Sequence, residues 1–209
     1  MPFRLLNKYD AEVRELDVGP RALRVYAVKD INALVDAMGP EDFGPDERLP
    51  YWATVWPSSL VLAREVLSTS ELEGPVLELG CGLGVGSIAA AMRGLDVLAT
   101  DHEPDALAFL EKNAALNEVA VSTRAFDWRD PAWSAEYRTI LASDVLYEER
   151  KVIPLAETIS ALLHPGGVAW VADPGRGHLP YLELEARDRG LVGETVERES
   201  VSILKLKKA

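Results

Sequence analysis

Val76-Leu-Glu-Leu-Gly-Cys-Gly-Leu-Gly-Val-Gly86 is an apolar run of strand length that passes straight into alternating glycines and then into a helix-forming stretch, residues 87–93. Glycines adopt backbone angles closed to other residues and let the chain approach a ligand closely, while a helix starting just beyond presents unpaired N–H groups. The segment therefore reads as a ligand-binding turn between a core strand and a helix. A GxGxxG fingerprint starting at Gly80 needs glycine at position 85, where this chain has Val85. The spacing present is E-x-G-x-G-x-G, on Glu78, Gly80, Gly82 and Gly84.

Outward from this turn, residues 97–100, 121–126, 140–142 and 168–172 are further short apolar runs of strand length, with helical stretches between most of them. Pro57 and Pro104 each suit a first helical position, and Leu107, Leu110 and Ala114 fall on one face of the helix that follows Pro104. Alternation of strand and helix implies a mostly parallel sheet covered on both sides, an α/β fold. Near the C-terminus a helix over 181–189 ends at Gly190, and two strand-like runs, 191–198 and 201–206, are separated only by Glu199 and Ser200. So short a link makes a hairpin and excludes a parallel crossover, which predicts a C-terminal antiparallel pair. Before the turn, weak alternation over 11–28 suggests a strand pair, Asp30 caps a short helix over 31–38, and the glycine- and proline-rich segment 39–50 reads as a surface loop.

Asp101 ends the strand after the glycine turn, 21 residues beyond Gly80, where a carboxylate reaches the ribose hydroxyls of a bound adenosine; the competing reading is a cap for the helix near Pro104. Trp128, with Asp127 before it, follows the third strand at the carboxyl edge of the sheet, where an indole can flank an adenine ring or simply pack in the core.

Composition narrows the partners. The chain has 209 residues, 48% hydrophobic and 27% charged, which suits one globular domain with a sizeable core. A net charge of -12 argues against nucleic acid, whose binding relies on Lys and Arg. No apolar run approaches the roughly 20 residues of a membrane span, and no signal-peptide core follows Arg4 and Lys8, so a cytoplasmic location is expected. The lone Cys81 reads as a small filler between glycines, and His102, His164 and His178 lack metal-ligand spacing, so no metal is expected.

Pro50-Tyr-Trp-Ala-Thr-Val-Trp-Pro57, the glycine turn, Asp144-Val-Leu-Tyr147 and Asp173-Pro-Gly-Arg176 follow one another in an order that resembles the seven-stranded, Rossmann-like protein lysine methyltransferases. Within them the chain looks closest to the electron transfer flavoprotein β-subunit lysine methyltransferases and their bacterial relatives. The likeness covers residues 50–176 well and the first 49 poorly. It implies an S-adenosyl-L-methionine-dependent methyltransferase domain over 50–209, with 1–49 an N-terminal extension packed on the core. It also implies that Trp56, Gly80, Cys81, Gly82, Asp101, Trp128 and Ser143 line the cofactor, with Glu78 of the E-x-G-x-G-x-G element counted among them, and that Asp144 and Tyr147 face the target lysine. Trp52 either lines the same pocket or packs the N-terminal segment on the sheet. The expected chemistry is positional: Asp144 captures the incoming ammonium, Tyr147 hydrogen-bonds beside it, and the proton leaves through water. A monomer acting on a protein lysine is the expectation, with electron transfer flavoprotein β subunit the candidate substrate. Small-molecule N-methylation and a non-catalytic adenosine-binding module are the alternatives.

Overall fold

The computed structural model describes residues 3–39, 49–129, 133 and 136–209. A first helix, α1 (Phe3–Lys8), leads into the antiparallel pair β1 (Ala11–Asp17) and β2 (Ala22–Val28) and the short α2 (Ile31–Asp36). Asp30 caps α2 by accepting the N–H groups of Asn32 and Ala33. The loop expected over 39–50 falls largely outside the described residues.

From Tyr51 onward strand and helix alternate: α3 (Pro57–Ser68), β3 (Val76–Leu79), α4 (Val85–Met92), β4 (Val97–Asp101), α5 (Pro104–Leu116), β5 (Ser122–Ala125), β6 (Tyr137–Ser143), α6 (Val152–Leu162), β7 (Leu163–Asp173), α7 (Leu179–Asp188), β8 (Leu191–Arg198) and β9 (Val201–Lys208). Pro57 and Pro104 both stand in the first turns of their helices, where the missing N–H costs nothing. The seven strands from β3 on form one sheet in the order β5-β4-β3-β6-β7-β9-β8. All neighbours are parallel except at β9, which runs antiparallel to both β7 and β8. The expected hairpin is present, turned by Glu199 at φ 54° and Ser200.

Period-2 alternation divides the inner strands between two apolar layers. Ile140, Ala169 and Leu204 face the layer under α6 and α7, whereas their neighbours Leu141, Trp170 and Ile203 face the layer under α3 and α4. Both faces of the sheet are thus buried, which is why β3 reads as an unbroken apolar run around one acid. The β1–β2 pair lies against α5: the Asn113 and Asn117 side-chain carbonyls accept the N–H groups of Tyr26 and Arg24 and so occupy the outer edge of β2. Ala27, Leu83 of the glycine turn and Phe109 share one small core beneath it.

Several boundaries differ from the sequence reading, those of two strands among them. Strand β7 begins at Leu163 rather than at 168, because the Pro165-Gly-Gly167 stretch pairs with β6 as a bulge within the strand. Strand β5, at the sheet edge, keeps only Ser122–Ala125 of the six residues expected, 121–126. Among the described residues, no helix is long and apolar enough to cross a membrane.

Candidate active site

The strand order reverses between β3 and β6, and in open parallel sheets the crevice at such a switch point is the place for a ligand. Register fixes what meets there. Leu79 aligns with Thr100 of β4 and with Ala142 of β6, so Gly80, Asp101 and Ser143 leave the sheet at one level. They border a cavity of about 460 Å³, within the size range of small-molecule sites.

The turn itself is wound from left-handed glycines, with φ 67° at Gly80, 50° at Gly82 and 82° at Gly84. Asp101 pins it: one carboxylate oxygen accepts the Gly82 N–H at 2.9 Å and the other accepts the Glu103 N–H at 3.0 Å. Asp101 thus holds the chain just ahead of α5, whose N-cap residue is Glu103, and lines the cavity with the same side chain. A Cβ at Gly80 would lie 2.8 Å from Val145 Cγ1 and 3.2 Å from the Trp128 ring, so the indole stands directly against the turn. Trp128 is buried in the apolar layer and also forms part of the cavity wall. Beside it, Arg129 chelates Asp127 and holds that carboxyl down at about 2.

Glu78 departs from its expected place. It does not line the cavity but lies fully buried beneath the turn, accepting the Ser87 N–H at 2.8 Å and the Ser87 hydroxyl. Ser87 is the third residue of α4, so this carboxylate caps the helix from below. A Cβ on Gly86, two residues beyond the motif, would lie 2.5 Å from Glu78 Oε1, which explains the glycine at that position. Burial pushes the Glu78 carboxyl up to about 7, against the pull of the two Ser87 hydrogen bonds. Cys81 borders the cavity, and burial raises its thiol well above the ordinary value.

The opposite wall is aromatic. Tyr51 packs edge-on against Trp56 at 5.9 Å and against Tyr147 at 5.5 Å, and the Trp56 Nε1–H donates to the Tyr51 carbonyl at 2.7 Å. Trp56 is the N-cap residue of α3, directly before Pro57, and its side chain lines the cavity. Trp52 lines the cavity and also packs on Tyr9 and Phe109, joining the N-terminal segment to the site. Burial and nearby acids push the Tyr147 phenol up to about 12, so at neutral pH it is a neutral hydroxyl.

Asp144 sits at φ 59°, its N–H bound to the Ala172 carbonyl, and its carboxylate is already engaged. One oxygen accepts the Ser58 N–H in the first turn of α3, and the other lies 2.8 Å from Arg176 Nη1. Desolvation dominates and raises its pKa, with Arg176 opposing. Arg176 also reaches the fully buried Asp173, and its guanidinium stands 6.0 Å from the Trp56 ring. The Asp173-Pro-Gly-Arg176 segment is thus both a turn, closed by the Gly175 and Arg176 N–H groups on Asp173, and a wall of the Asp144 site.

The structure brings Trp56, Gly80, Cys81, Gly82, Asp101, Trp128, Ser143, Asp144 and Tyr147 to one cavity and leaves Glu78 outside it. It adds Tyr51, His102, Glu148 and Lys151, none of which the sequence singles out as a site residue. Tyr51 had a signal in its proline-flanked aromatic cluster; Lys151 had none. Among the described residues, no group of three His, Cys, Asp or Glu side chains is placed to hold a metal ion.

Comparison with known proteins agrees with this geometry. The electron transfer flavoprotein beta subunit lysine methyltransferase of Danio rerio is 33% identical over 131 residues, covering 61% of this chain and 51% of that protein. Protein N-lysine methyltransferase METTL21A of Danio rerio is 32% identical over 126 residues, covering 56% of this chain and 57% of its own length. The chain therefore spans about half the length of the curated relatives it matches. Among solved structures, the Thermus thermophilus 16S rRNA N2 G1207 methyltransferase in complex with AdoMet and guanosine superposes with a TM-score of 0.69 at 18% identity, over 95% of this chain and 50% of that one. The ribosomal protein L11 methylase of Lactobacillus delbrueckii subsp. bulgaricus gives 0.60 at 20% identity, over 73% and 79%. These establish a methyltransferase fold. The family model for lysine methyltransferases matches residues 51–176, the segment that carries the glycine turn, the aromatic wall and the Asp144–Tyr147 element, and the chain belongs to that family.

Proposed function

We propose that this chain is an S-adenosyl-L-methionine-dependent protein-lysine N-methyltransferase, with electron transfer flavoprotein β subunit the first substrate to test. The observation that carries the reading is a single cavity walled on one side by the glycine turn and Asp101 and on the other by Tyr51, Trp56 and Tyr147. The donor set fits the cofactor: Asp101 retains acceptor capacity for a ribose diol beyond its two backbone bonds, and Trp128 offers an indole against the turn. When bound, S-adenosylmethionine supplies an already activated methyl group, so the protein's task is orientation.

The aromatic wall receives the acceptor lysine. Its rings favour a cation by their quadrupoles, and exclusion of water lowers the lysine pKa toward the free amine that attack requires. Tyr147, neutral at physiological pH, donates or accepts a hydrogen bond and does not act as a phenolate base. Asp144 differs from the simple ammonium trap of the sequence reading, because its carboxylate joins the start of α3 to Arg176. Capture of the substrate ammonium by Asp144 accordingly requires Arg176 to give way, and otherwise Asp144 acts by holding Trp56 in place. Incubating the protein with methyl-labelled S-adenosylmethionine and a lysate of the source cell, alongside purified electron transfer flavoprotein β subunit, tests the proposal. Label in a protein lysine supports it, and label confined to small molecules overturns the acceptor class.

A further inference from the structure

The chain has seven lysines, all among the described residues, and only Lys151 lines the cavity. It lies in the short turn that leads into α6, yet its side chain is only 13% exposed, against 61% for Lys8 and 49% for Lys29. The ammonium nitrogen stands 3.5 Å from the centre of the Tyr147 ring and contacts the Tyr147 hydroxyl. Tyr147 is the ring that the proposed function places beside the substrate amine, and Glu148 Oε1 lies 3.5 Å from the same nitrogen. A lysine of the protein itself therefore occupies the place the acceptor lysine is expected to take.

We propose that Lys151 is a self-methylation site, modified within the same molecule when the cavity holds S-adenosylmethionine. The inference rests on the methyltransferase reading above. The Lys151 nitrogen, as free amine, forms the new N–C bond with its lone pair. The S–C bond of the sulfonium breaks, its electron pair stays on sulfur as a neutral thioether, and the resulting ammonium releases its proton to water. Burial supports the free amine, since desolvation outweighs Glu148 and lowers the Lys151 pKa, whereas Asp10 raises that of exposed Lys29. Tethering makes the amine a permanent neighbour of the site, so the reaction needs no encounter between molecules. Lys205 supplies an internal control: its nitrogen lies 4.0 Å from the Trp170 ring, a similar cation–aromatic contact, but it is outside the cavity.

Three measurements on the full chain test this. Calorimetry with S-adenosylhomocysteine first establishes binding. Intact and peptide mass spectrometry after incubation with S-adenosylmethionine is expected to show methyl additions on Lys151, at a rate per molecule unchanged over a hundredfold dilution. The Lys151→Arg variant is expected to lose at least about tenfold of this incorporation, and Lys205→Arg none of it. Independently of turnover, the side-chain resonances of isotopically labelled Lys151 should move on adding S-adenosylhomocysteine, while those of Lys205 stay. Binding without methylation of Lys151, without movement of its resonance, or with a rate that scales with protein concentration overturns the proposal and leaves the methyltransferase reading standing. Absence of binding overturns both.

Discussion

Replacing Glu78 by glutamine removes an ionisable group from beneath the glycine turn while keeping its shape. The folded carboxyl is raised from 4.5 to about 7, chiefly by complete burial. Between those two values the folded protein holds a proton that the unfolded chain has released, so stability falls as pH rises through the window. The shift spans about 2.5 units at roughly 1.36 kcal/mol each, which is about 3 kcal/mol present in acid and lost above neutrality. Integrated between about pH 5 and about pH 8, the loss is about 2–3 kcal/mol. Glutamine accepts from the Ser87 N–H in the same way but has no proton to lose. Urea unfolding of wild type and Glu78→Gln at those two pH values should therefore show the variant gaining about 2–3 kcal/mol relative to wild type at the higher one. A difference that stays constant to within about 0.5 kcal/mol would refute the view that a buried, proton-binding Glu78 supports the turn.

Three further substitutions probe the walls of the site. Gly84→Ala combines a residue at φ 82° with a Cβ placed 2.5 Å from Leu110 Cγ; it should cost about 2–4 kcal/mol in thermal unfolding, against about 1 for Gly94→Ala, which has the same backbone angle in open space. Arg176→Ala leaves Asp144 and Asp173 buried without their cation. Because the Arg176 side chain is 28% exposed, the loss should be about 2–3 kcal/mol, below the range for a fully buried pair, with Arg176→Lys only partly restoring it in denaturant unfolding. Tyr147→Phe should lower methyl transfer about tenfold with S-adenosylhomocysteine affinity unchanged. Since the phenol lies at about 12, the pH profiles of wild type and variant should run parallel below about pH 10.

The fold is legible where short-range patterns decide it. Strand β3 announces itself as an apolar run closed by Gly80, Pro57 and Pro104 mark helix starts, and the two-residue link at Glu199–Ser200 dictates the terminal hairpin. What the pattern misses depends on distant partners. Pro165-Gly-Gly167 has the composition of a turn, yet pairing with β6 keeps the segment within β7 as a bulge. Docking of the β1–β2 pair rests on side-chain amides of Asn113 and Asn117, some ninety positions away, which leave no local periodicity.

The site divides in the same way. Residues at strand ends, Gly80, Asp101 and Ser143, meet because parallel register sets them level, so finding the strands amounts to finding them. Glu78 alternates to the other face of β3 and turns beneath α4, a direction that motif spacing does not carry. The engagement of Asp144 by Ser58 and Arg176, and the position of Lys151 over Tyr147, are tertiary facts joining α3, β6, the loop after β7 and the turn before α6.

Under the proposed function, the glycine turn and the aromatic wall together deliver a methyl group to a protein lysine. Mass spectrometry of purified electron transfer flavoprotein β subunit and of source-cell lysate, after incubation with the enzyme and S-adenosylmethionine, tests it most directly. Methyl groups are expected on lysine side chains of a protein, lost with Tyr147→Phe in proportion to its reduced rate. Efficient methylation of small amines with no protein lysine modified would contradict it.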